Sequence, residues 1–140
     1  MEIRSFSTGD TEAVIALWER CELIRPWNDP RQDILRKLKV QGDLFLVGLQ
    51  DGQLAATIMA GYEGHRGWIN YLAVEPGLRR RGLGRAMMAE AEKGLRLLGC
   101  PKLGVQIRKG NEAAMAFYAK LGYVEDPVIS VGKRLENDRG

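Results

Sequence analysis

The sequence predicts an α/β fold in which helices cover both faces of a mixed β-sheet. Three observations carry that expectation. Apolar runs at 44–49 and 54–62 flank Gln50-Asp51-Gly52-Gln53, the turn of a β-hairpin. A further apolar run at 68–74 leads through a basic, glycine-containing turn into a helical stripe. The complete order, β-α-α-β-β-β-α-β-α-β-β, mixes hairpins with strand–helix–strand units.

Each element has its own reason. Met1 to Arg4 alternates apolar and polar, the start of a short strand. Thr8-Gly9-Asp10-Thr11 supplies cap chemistry for a helix with Val14, Leu17, Trp18 and Cys21 on one side. Pro26-Trp27-Asn28-Asp29-Pro30 is a loop ending in a cap, with Pro30 suited to the first helical position. Ile34, Leu35 and Leu38 form the stripe of the helix that follows. The hairpin comes next, and Glu63-Gly64-His65-Arg66-Gly67 turns the chain into the 68–74 strand. A helix from Gly82 places Leu83, Met87, Ala91, Leu95 and Leu98 on one face and stops at Gly99. A strand at 102–107 and a helix at 111–121 follow, the latter ended by Gly122. Residues 123–124 and 128–135 read as closing strand material before a polar tail.

Composition sets bounds on function. The chain has 140 residues, enough for one domain with a real core, and its 45% hydrophobic and 28% charged residues are ordinary for a globular protein. A net charge of +3 is too mild to imply nucleic acid. Cys21 and Cys100 lack metal-site spacing, so no metal is expected, and two isolated thiols fit a reducing compartment. With no leader-like N-terminus and no membrane-length apolar run, a cytoplasmic protein without a membrane partner is expected.

The most informative stretch is Arg79-Arg80-Arg81-Gly82-Leu83-Gly84-Arg85, between a strand and a helix start. Free N–H groups of a first helical turn and the helix dipole favour an anion there. Glycines let a phosphate approach the backbone, and arginines add fork-shaped donors. A Walker loop is excluded because Arg85-Ala86 follows Gly84, and a dinucleotide fingerprint because position 87 is methionine. Read alone, the loop fits a solvated basic turn equally well.

Arg-x-x-Gly-x-Gly resembles the acetyl-CoA loop of the GNAT family of N-acetyltransferases, and the element order is the one that family has. Asn111-x-x-Ala114-x-x-x-Tyr118-x-x-x-Gly122-Tyr123 resembles the family's second motif. Seven residues turn a helix through about two revolutions, so Asn111 and Tyr118 share a face roughly 10 Å apart along the axis. Each also has a plain structural reading: Asn111 as an N-cap, Tyr118 as a core tyrosine, Gly122 as a helix stop. The segments 25–30, 61–67 and 99–102 further resemble the bacterial YpeA subgroup.

The resemblance implies a single-domain fold over 1–140 with a mixed, mostly antiparallel sheet, and acetyl transfer from acetyl-CoA to a primary amine by direct attack. Backbone groups of Leu72, Ala73 and Val74 would bind the pantetheine, and N–H groups of Arg80 to Arg85, with Arg79 beside them, the pyrophosphate. Asn111 would hold the pantetheine arm. Tyr118, at an ordinary pKa of about 10, would protonate the leaving thiolate. Many members carry an acid on the fourth strand, where this chain has Asn70 and Tyr71. Glu63, acting directly or through a water, is the first candidate base and His65 the second; a solvated turn accounts for both equally well. Trp27 and Asp29 are candidates for the acceptor pocket, although burial and capping explain them as well. A homodimer is left open. Two other functions compete: a non-catalytic acyl-CoA-binding module, which would be indifferent to Tyr118, and a nucleic-acid-binding domain, which would need basic stripes beyond 79–81.

Overall fold

Five strands form one sheet in the computed structural model, which describes residues 1–138. β1 (Glu2–Ser5), β2 (Phe45–Gln50), β3 (Gln53–Tyr62), β4 (Gly67–Val74) and β5 (Leu103–Val105) lie side by side in sequence order. The first four pair antiparallel, and β5 runs parallel to β4. A parallel neighbour needs a crossover, which α3 (Leu83–Leu97) provides. α1 (Thr11–Arg20) and α2 (Pro30–Leu38) precede β2, and α4 (Glu112–Lys120) follows β5. Asp29 caps α2 as expected, accepting from the Arg31 N–H at 2.9 Å, with Pro30 at the first position.

Period-two alternation sorts the strand side chains into two layers. Phe45, Val47 and Met59 cluster with Phe6, Val14, Leu17, Trp18 and Ile34 under α1 and α2. Leu46, Ala56, Ile58, Ala60 and Ile69 cluster with Met87, Met88, Ala91 and Leu95 of α3 and Tyr118 of α4. Leu35 and Leu98, expected in apolar stripes, are 53% and 47% exposed. Leu98 lies beyond the last turn of α3.

β4 breaks its own alternation. Met59 pairs with Asn70 and Thr57 with Ala73, so Tyr71 and Leu72 together oppose the single residue Ile58. This β-bulge puts Tyr71 in the left-handed region, φ 52°. Before it Ile69 faces the α3 layer; after it Ala73, of the same parity, faces the α1 layer. The bulge is pinned from one side of the sheet. Fully buried Thr57 donates to the Tyr71 carbonyl at 2.8 Å and accepts from Trp18 Nε1 at 2.9 Å. The Tyr71 ring stacks on Trp18 with centroids 3.8 Å apart, and its hydroxyl donates to Asp33 at 2.6 Å. Leaving any one of these buried partners unmade would cost about 1–3 kcal/mol.

The closing strands expected at 123–124 and 128–135 do not form. Val124, Val128, Ile129, Val131 and Leu135 are between 76% and 92% exposed. Pro127 removes a ladder donor and Gly132 weakens strand character. Side chains tie the segment down instead. Lys102 meets Asp126 at 2.7 Å, Arg134 donates to Asn28 at 3.0 Å, and Arg36 meets Asp138 at 2.7 Å. The tail thus bridges from the β5 side to the start of α2.

Candidate active site

The sheet splits where β4 and β5 part. They pair only from Gly67 to Ile69 against Leu103 to Val105, while β4 continues to Val74. Beyond the split lies a cleft of about 310 Å³. Asn70, Tyr71 and Leu72 line one wall, and Val105, Gln106, Ile107 and Arg108 the other. Asn111, Ala114 and Tyr118 close it from α4, and Leu23, Arg25 and Asn28 from the loop before α2. Of the predicted strand contacts only Leu72 reaches the cleft wall. Ala73 is buried under α1, and the Val74 carbonyl accepts from Cys21 Sγ and Arg79 Nε, each at 3.3 Å.

The basic loop has the geometry of an anion cradle. Arg80 has φ 67° and Gly82, the N-cap of α3, φ 79°. The first helical bond runs from the Ala86 N–H to the Gly82 carbonyl, and among the described residues the N–H groups from Arg80 to Arg85 donate to no protein acceptor. Arg79, Arg80, Arg81 and Arg85 have no carboxylate partner there, and all four are exposed. The two glycines differ in purpose. A Cβ on Gly82 would point into open space, so its backbone conformation is what demands glycine. A Cβ on Gly84 would sit 3.2 Å from the Phe117 ring, so Gly84 lets α3 pack on α4. Phosphate approach, expected of both glycines, is therefore not the sole demand on either position.

Asn111 and Tyr118 share the cleft face of α4. The Asn111 carbonyl oxygen is committed to the Ala114 N–H at 3.1 Å, which leaves its NH₂ group to donate. The Tyr118 ring is buried, edge-on to Phe117 and Tyr123, while its side chain borders the cleft and its hydroxyl enters no side-chain hydrogen bond among the described residues. Burial pushes its pKa up to about 12, not the ordinary value expected from sequence.

Glu63 and His65 fall outside the cleft. The Glu63 carboxylate accepts from the backbone N–H groups of His65 and Arg66, at 2.5 and 2.6 Å, and so closes the β3–β4 turn. Those bonds, that from Arg66 foremost, lower its pKa, the wrong direction for a base. Four residues of strand, about 13 Å, separate Glu63 from Met59, the partner of Asn70 at the split. A direct base must come within about 3 Å of the amine, so from outside the cleft Glu63 is left with the water-mediated route that was its alternative. Asp29 serves as a cap, and half-exposed Trp27 lies beneath the Arg108 guanidinium, 5.6 Å from the ring centroid. Sequence reading missed Thr57, whose only trace is a lone polar residue in an apolar run, and the two cleft arginines, Arg25 and Arg108.

A second hollow, of about 460 Å³ between α3, β5 and the segment after α4, is bordered by Cys100 and by Gly122 and Tyr123 of the second motif, but by none of the residues expected to bind acetyl-CoA or to catalyse. Among the described residues no cluster of three His, Cys, Asp or Glu side chains is placed to hold a metal, and no helix is long and apolar enough to cross a membrane.

Comparison with known proteins defines the class as acetyltransferases. The acetyltransferase (GNAT) family pattern matches residues 12–123, and the chain belongs to that family. It is 50% identical to an acetyltransferase of Pectobacterium atrosepticum over 99% of both chains. Among solved structures it is similar to Ard1 from Thermoplasma volcanium, at 25% identity and TM-score 0.79 over 88% of this chain and 82% of that one. It is also similar to the ribosomal-protein-S18-alanine N-acetyltransferase from Escherichia coli, at 26% identity and TM-score 0.73 over 89% and 78%.

Proposed function

We propose that this acetyltransferase moves acetyl from acetyl-CoA to a primary amine by direct attack in the β4–β5 cleft. The observation that carries the reading is the row of unused N–H donors from Arg80 to Arg85, standing at the end of a strand whose outer edge is open to the cleft. Such a row suits a pyrophosphate, and an open strand edge suits a pantetheine arm taken up like an added strand. Acetyl-CoA, when bound, supplies an acyl group activated as a thioester. Leu72 and the Asn111 NH₂ hold the arm, and N–H groups beside the bulge polarise the thioester carbonyl. Tyr118 donates a hydrogen bond to the departing sulfur. With its pKa near 12, it shares that proton with the thiolate and does not surrender it outright.

No carboxylate or imidazole lines the cleft among the described residues. The amine therefore arrives neutral, its proton already lost to water, and attack releases one further proton to solvent. Neither cysteine carries an acyl group in this scheme. Cys21 and Cys100 are unbridged, in keeping with a cytoplasmic enzyme. The test is a thiol-release assay with acetyl-CoA across a broad panel of amines, beside calorimetry with CoA. Amine-dependent release of CoA supports the reading. CoA binding with no release against any amine would leave a binding module, and absence of CoA binding would remove the cradle.

A further inference from the structure

The arginines sort by partner. Among the described residues Arg4, Arg20, Arg31, Arg36, Arg96 and Arg134 each meet a carboxylate. Apart from Arg66 in the β3–β4 turn, the rest fall in two places. Four are in the 79–85 loop. The other two, Arg25 and Arg108, line the cleft, and no Asp or Glu lines it with them.

Neither cleft arginine belongs to the anion loop, for no residue from 79 to 85 lines this space. Arg25 is half-buried on the loop before α2, and Arg108 follows β5. The Trp27 ring beneath Arg108 steadies the guanidinium, which reduces the freedom lost when a ligand is gripped. The nearest carboxylate, Asp33, stands behind the wall, bonded to Tyr71 and Asn28, so the two cations that line the cleft outweigh it, repel a polycationic acceptor and favour an anionic one. Guanidinium groups also match carboxylates in geometry, with paired N–H donors for paired oxygens.

We propose, on the basis of the acetyl-transfer reading above, that the amine acceptor carries a carboxylate, which Arg25 and Arg108 bind while its amine faces Tyr118. The carboxylate has two sources with one chemistry: the α-carboxylate of an amino acid, or an acidic side chain beside the N-terminus of a peptide. Polyamines and aminoglycosides are disfavoured acceptors.

The experiment compares kcat/KM within matched pairs. One arm sets free amino acids against their amides. The other sets amidated dipeptides with Asp or Glu second against those with Lys second. At least one arm should show a tenfold or greater preference for the carboxylate, and the arm that does so names its source. Arg25→Ala and Arg108→Gln should reduce that ratio to near one through KM, with CoA affinity by calorimetry unchanged. Arg25→Glu should favour spermidine over the acidic acceptor. Equal kcat/KM in both arms, a wild-type preference for spermidine, or arginine variants that weaken CoA and not the acceptor would each overturn the proposal. The wild-type comparison stands even where a variant does not fold. Failure to acetylate any amine would instead sink the underlying acetyl-transfer reading.

Discussion

Tyr118→Phe removes one oxygen from a ring packed between Phe117 and Tyr123. Because that oxygen enters no side-chain hydrogen bond among the described residues and its side chain borders the cleft, stability and CoA affinity should change little. The lost donor beside the sulfur should lower kcat by about tenfold or more, and kcat/KM with it. Tyr118, held protonated to about pH 12, should contribute no alkaline limb below that pH, so wild type and variant should share the shape of their profiles. Wild-type turnover in the variant would take Tyr118 out of the reaction. Glu63→Gln gives the complementary result. Its carboxylate closes a turn far from the split, so turnover should stay within about twofold of wild type. The rise of kcat/KM with pH should follow the acceptor's own amine, near pH 8 for an α-amine and near 10 for a lysine side chain. A limb fixed at one pH for both amines would point to an enzymic base that this structure does not supply.

At the scale of elements, the α3 entry separates two kinds of glycine. Gly82→Val should fold with a modest loss, about 1–2 kcal/mol for a branched residue at φ 79°, and should lose most CoA affinity. Gly84→Val should lose more stability in urea unfolding, because its side chain meets Phe117 and Val74 before any ligand arrives. If the two variants lose stability equally while both keep CoA, the cradle is misplaced. How far the sequence could be read follows from the same distinction. The helices were legible because capping residues and period-3.6 stripes are local, as with Asp29-Pro30 and the Met87, Ala91, Leu95 series. The loop and the α4 motif were legible because their spacing is fixed by one turn and one helix. The bulge was hidden, since the nearly continuous apolar run from Trp68 to Val74 shows no broken alternation, although in the fold Trp68 and Asn70 are exposed while Ile69 and Ala73 are buried. Glu63 misled because distance across a sheet is invisible in one strand's sequence. The tail misled because β-branched residues signal strand without saying whether an edge is available.

The whole molecule should be sensitive to alkali. Burial raises the pKa of Tyr71, Tyr118 and Tyr123, with hydrogen bonds to Asp33 and Glu92 adding to the first and last. A raised value means the folded state holds its proton more tightly than the unfolded chain. The stability so contributed is complete below about pH 10, the unfolded value, and is lost as pH rises through the folded values. Urea unfolding should show a declining free energy from about pH 10 upward. Tyr118's share should be up to about 2–3 kcal/mol by pH 12 and absent in Tyr118→Phe. A flat profile in this range would mean these rings are more hydrated than the structure shows.

The extra residue in β4 has a consequence for insertions and deletions. Removing one residue from a strand ordinarily turns every later side chain inside out. Here the count is already one too many. Excising Tyr71 would leave Asn70 opposite Met59, Leu72 opposite Ile58 and Ala73 opposite Thr57, with each survivor on the side of the sheet it occupies now. The shortened chain should therefore keep its register and its two layers, while forfeiting the Trp18 stack and the bond to Asp33. Its far-ultraviolet circular dichroism should resemble the parent's, and its turnover should be lost along with the kink that aims the strand at the thioester. Architecture and activity would then part at a single codon.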